Sequence, residues 1–171
     1  MMATGSVSRV EAVSVAPNRS EIVLGWAALT LLAVVLVAIG RGHAQWGQIP
    51  WTIWVHLATM ILALALTPVM FWNPRGTRRH RQLGYVWVVA LGSTALLTFW
   101  IRTVNHGNLS YIHLLSAFTL VQVPRIVWSA RQHRHAAHRR SVRAMVIGAL
   151  LVAGFFTLPF GRLLGTWLAG S

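Results

Sequence analysis

Five apolar stretches dominate this chain, and their lengths decide what it folds into. They cover about residues 22–39, 51–72, 77–102, 109–128 and 142–160. Each approaches the ~20 residues that a helix needs to cross a hydrocarbon core. Hydrophobic residues make up 56% of the 171 and charged residues only 10%, where soluble domains carry nearer a quarter charged. The expected fold is therefore an all-α membrane protein with five transmembrane helices. Residues 1–20 are polar and aperiodic and read as a mobile tail, and residues 21–171 as a single five-span domain. The first stretch is too long for a secretory signal and lacks a clear cleavage site.

The charge is just as uneven. The net charge is +13, from 15 Arg, no Lys and two Glu. Most of the Arg residues sit in two turns, Arg75-Gly76-Thr77-Arg78-Arg79-His80-Arg81 and Arg131-Gln132-His133-Arg134-His135-Ala136-Ala137-His138-Arg139-Arg140. These turns join spans two–three and four–five, so they lie on one side. The loops joining one–two and three–four hold only Arg41 and Arg102. The positive-inside rule then places both basic turns and the N-terminus in the cytoplasm, most naturally at a bacterial inner membrane. Topology accounts for the charge, so no nucleic-acid partner is expected. The absence of Cys excludes disulfides and thiolate metal sites. The acids are Glu11 and Glu21 alone, both near the N-terminus, which excludes paired-carboxylate catalysis within the spans.

Histidine is the chemistry left. His56 and His113 each lie about a turn inside the start of spans two and four, while His80 and His138 open spans three and five. Short connections predict that spans two to five form an up-down four-helix bundle. Alternate helices then run parallel, so His56 and His113 share the outer level and His80 and His138 the inner one. Neighbouring helices pack at about 8–10 Å, which sets diagonal partners about 12–14 Å apart. That spacing suits a metal held between two imidazoles within a planar macrocycle. Haem iron takes such axial ligands. About 16 residues from His56 to the inner end of span two separate the levels by ~24 Å.

The faces fit this arrangement. His56, Thr59, Ala63, Thr67 and Met70 align on span two. His80, Gly84, Trp87, Leu91, Thr94 and Thr98 align on span three, and His113, Ser116, Thr119 and Gln122 on span four. Gly84 removes a side chain beneath His80, admitting either a flat ligand or a close helix contact. Arg102 at the outer side, and Arg81 or Arg139 among the inner arginines, suit haem propionates. Each histidine also has a plainer reading as an interfacial or hydrogen-bonded residue. His133-x-His135-x-x-His138 further matches the spacing of a zinc or copper cluster, or simply a solvated basic loop.

The series His56, His80-Arg81-Gln82-Leu83-Gly84, His113-Leu114-Leu115, His138-Arg139-Arg140 with Met145, and Pro159-x-Gly161-Arg162 resembles a family of predicted bacterial membrane proteins known only as a domain of unknown function. The resemblance covers about residues 51–164. The histidine layout is also similar to that of the ascorbate-reducible diheme cytochromes b, which usually carry one more span. That likeness implies two haem b groups, one between spans two and four and one between three and five. It implies a transmembrane electron-transfer oxidoreductase, fed by a quinol or another small-molecule donor. The alternatives are a cofactor-free membrane accessory protein and a metal-handling membrane protein, and self-association is open in each case.

Overall fold

The computed structural model describes residues 17–101, 111–159 and 161–170, and among these residues the fold is helical with no strand. Helix α1 is Arg19–Arg41. A 3-10 turn, His43–Gln48, leads to α2, Trp51–Trp72. Helix α3 is Arg78–Thr98 and α4 is Tyr111–Arg131. Helix α5, His135–Met145, continues through a π-helical segment, Val146–Val152, into α6, Ala153–Phe155, and α7 is Leu163–Ala169. Most of the expected tail, the loop with Arg102 and His106, and Glu11 lie outside the described residues.

Local chemistry sets the helix ends. The Asn18 side chain accepts from the Glu21 backbone N–H, and the Glu21 carboxylate accepts from the Asn18 N–H, so α1 begins on a reciprocal capping box. Thus α1 starts at Arg19, inside the stretch expected to be tail. Asn73-Pro74 stops α2, because the residue before proline is pushed out of the helical region. Gly76 then takes a left-handed conformation, φ 78°, and the Thr77 hydroxyl caps α3 by accepting from the His80 N–H at 3.1 Å. Helix α4 runs straight through Pro124 to Arg131.

The turn between α4 and α5 places His133 at φ 54°, a left-handed conformation taken by a side-chain-bearing residue. Such a backbone costs about 1–2 kcal/mol outside glycine. His133→Gly should therefore stabilise the protein by about 0.5–1 kcal/mol, once the larger entropy of the unfolded glycine chain is deducted. Thermal unfolding in detergent measures this, and an unchanged or lower midpoint would show that the turn carries no strain.

Packing follows chain order: α1 lies on α2, α2 on α3, α3 on α4 and α4 on α5. The π-helical segment touches α1, α2 and α4 and closes the ring. The buried face of α1 is small near its start, Gly25 and Ala28, then Leu31, Val35 and Ala38. Gly25 seats the Trp72 indole so closely that a Cβ there would stand 2.6 Å from it. Helix α7 packs back on α1. Within it Trp167 is buried against Gly42 and donates to Gln45 Oε1 at 2.8 Å.

Helices α1 and α2 are long and apolar enough to cross a membrane. The other expected spans differ from these two in identifiable ways. Helix α3 opens on Arg78, Arg79, His80 and Arg81, and α4 carries His113, Ser116, Thr119, Gln122 and Arg125. The fifth stretch begins seven residues earlier than expected, at His135, inside the second basic turn, and then changes winding.

Candidate functional site

His80 and His138 stand near the starts of α3 and α5, and His56 and His113 near the starts of α2 and α4. At the end where α3 and α5 begin, His138 Nδ1 lies 3.1 Å from the Ile126 carbonyl of α4. As donor in that bond Nδ1 carries the ring proton, which leaves Nε2 as the basic nitrogen, the usual way a protein orients a ligating imidazole. His80 Nδ1 is buried without a hydrogen-bond partner. His138 precedes the apolar run of its helix. Burial holds its imidazole below the ordinary histidine range; the Ile126 bond opposes this, and the charges of His135 and Arg75 add to it.

At the other level, His56 of α2 lines a cavity of about 50 Å³ inside the ring. Thr94 and Thr98 of α3, Ser116 and Thr119 of α4, and Thr157 beyond α6 share it. Thr59 and Thr94 hydrogen-bond through their hydroxyls, and Thr98 and Ser116 do so at 2.6 Å. His56 Nδ1 is buried without a hydrogen-bond partner. His113 sits one turn before Ser116, 5% exposed, with its ring 5.6 Å from Phe99. Between the levels stands Trp87, 1% exposed, which donates to the Ala63 carbonyl at 3.2 Å and to Thr67 Oγ1 at 3.1 Å.

The remaining expected residues divide. Arg81 is exposed on the rim. Gly84 faces α2, where a Cβ would meet only Met70 Cε at 3.7 Å, an ordinary contact rather than an open slot. Arg139 holds the Glu21 carboxylate with two bonds, Nε to Oε1 at 3.1 Å and Nη2 to Oε2 at 3.0 Å. Arg75 donates to the same Oε2. Glu21 is 2% exposed, so one buried carboxylate ties the start of α1 to both basic turns. Nothing in the histidine pattern pointed to it. The spacing Asn18-x-x-Glu21 was the available signal, since it is a capping-box pattern.

The inner-loop cluster does not assemble. His133 and His135 stand edge to face at 6.3 Å, His138 turns to Ile126, and Arg134 stacks 4.7 Å over Trp128. Among the described residues no three His, Cys, Asp or Glu side chains gather as metal ligands. Compared with known proteins, the chain matches no family model, no curated protein and no solved structure.

A haem fits the two levels differently. The inner pair offers a free Nε2 on His138, opposite the nitrogen bonded to Ile126, and a buried, unbonded Nδ1 on His80. At the outer level His56 alone of the pair lines the cavity, whose about 50 Å³ is room for about three to five waters at ~10–15 Å³ each. Flat organic ligands occupy several hundred Å³, so the outer level does not fit the group as packed.

Proposed function

We propose that this chain is an integral membrane b-type cytochrome with five spans and both basic turns on the cytoplasmic side of a bacterial inner membrane. The single observation behind this reading is the inner imidazole pair, with His138 oriented by Ile126 and His80 left unsatisfied. Support for the membrane setting comes from an inverted surface. Thr94, His113, Ser116 and Thr119 are buried, while Val89, Leu96, Leu114, Val121 and Phe155 are exposed, as expected where the surroundings are hydrocarbon.

In this reading His80 and His138 are the inner ligands, and Arg81 is the rim residue free to reach a propionate. When bound, haem supplies one-electron chemistry. The chain's own residues position the imidazoles and keep water out between the levels, where Trp87 fills the interior. His56 and His113 would hold a second haem only if the ring around the cavity widened, which breaks the Thr59–Thr94 and Thr98–Ser116 bonds. A quinol or another small reductant is the donor class.

A second reading, a cofactor-free accessory protein, is favoured by that same small cavity. The two are separated by the absorption spectrum of protein purified from haem-replete membranes. A reduced low-spin haem b spectrum is expected, abolished at the inner level by His80→Ala or His138→Ala. Two haems per chain, one lost with His56→Ala or His113→Ala, would extend the reading to the outer level. Colourless protein would overturn it.

A further inference from the structure

A groove of about 510 Å³ runs along the outside of the ring between α1 and the helix that begins as α5. Arg19, Ser20 and Arg143 line its upper part, and Val23, Leu24 and Ile147 the rest. Both helices run away from the basic rim. Val23 lies four residues past Arg19, and Ile147 four past Arg143, so each apolar side chain sits about one turn deeper than its arginine. Charge is therefore at the rim, and an open apolar wall lies beneath it, with Val23 65% and Ile147 48% exposed.

Among the described residues no carboxylate pairs with Arg19 or Arg143. Arg143 Nη1 lies 3.5 Å from the Ser20 hydroxyl. Glu21 is the sole acidic side chain among the described residues, and it is buried against Arg75 and Arg139. Two guanidiniums above an apolar wall complement a phosphate carried on an acyl chain, and basic pockets between membrane helices bind anionic lipid headgroups on the cytoplasmic side.

We propose that this groove binds one anionic phospholipid, its phosphate between Arg19 and Arg143 and an acyl chain along Val23, Leu24 and Ile147. The proposal rests on the membrane reading and is independent of haem. It is tested on the full chain, extracted from membranes in detergent and exchanged into phosphatidylglycerol or phosphatidylcholine with identical acyl chains, with bound lipid counted by native mass spectrometry.

Wild-type protein should retain one phosphatidylglycerol in preference to phosphatidylcholine. At about 1 kcal/mol per arginine near a membrane surface, each arginine is worth about fivefold, so the double variant Arg19→Gln/Arg143→Gln should bind phosphatidylglycerol about thirtyfold more weakly. Arg125→Gln, on α4 and outside the groove lining, should leave retention unchanged. Ile147→Trp, which blocks the wall and spares the charges, should also weaken retention and keeps the test open if the double variant does not fold. Millimolar inorganic phosphate should not displace the lipid.

No lipid preference in the wild type, an unaltered preference in the double variant, or full displacement by phosphate would each overturn the proposal. Recovery of the chain in the soluble fraction would instead end the membrane reading, so the two failures are distinct.

Discussion

Replacing Glu21 with glutamine will destabilise the protein by about 2–4 kcal/mol. Removing one partner from a buried ion pair costs about 3–5 kcal/mol, because the charge left behind is uncompensated. The lower figure reflects Arg75 and Arg139, which keep 16% and 18% exposure and can recover some hydration. Glutamine preserves the shape and one acceptor oxygen, so the loss reports charge rather than packing. Arg75→Gln and Arg139→Gln should each cost less, since the other arginine still neutralises the carboxylate. Their effects should not add, because both meet the same oxygen, Oε2. Thermal unfolding in detergent reads this as a fall of about 5–10 °C for Glu21→Gln. A midpoint unchanged from wild type would show that the three-way junction contributes nothing.

Trp87→Ala should cost about 3–5 kcal/mol, the range for removing a fully buried aromatic whose site cannot collapse. The indole fills the space between α2 and α3, seven residues past His80 and seven before Thr94 on the same face. Its loss also removes two hydrogen bonds from one N–H. Thr67 Oγ1 keeps its own bond to the Ala63 carbonyl at 2.7 Å, so no hydroxyl is orphaned. Trp87→Phe should consequently cost only about 1 kcal/mol for the lost donor, plus the volume difference between the rings. Equal melting points for the alanine and phenylalanine variants would show that bulk at this position is dispensable.

Much of the architecture was legible because its signals are local. The bounds of α2 are those of the apolar run, with Asn73-Pro74 at its end, and the Thr77 cap is visible as a threonine before a helical pattern. The striped faces of α3 and α4 predicted interior positions for Thr94, Thr98, Ser116 and Thr119, and these side chains do line the cavity. Winding was not legible. The sequence of residues 146–152 contains no proline, a lone Gly148 does not by itself mark a change of winding, and the π-helical turns lie where the segment packs against three helices at once. Helical-wheel arithmetic therefore does not carry across this segment, and Thr157 was missed as a cavity residue. The cavity's small volume was equally hidden, since it depends on how closely the hydroxyl pairs draw the helices together. Glu21 was passed over because its partners are distant in sequence. Only the cap spacing marks it, and that spacing speaks of a helix start, not of arginines on two other turns.

The carboxylate at the head of α1 meets guanidiniums 54 and 118 residues further along the chain. During synthesis the first helix emerges long before either partner exists. Its seat is completed only once Arg139 in α5 has been made, so a helix made early is locked late.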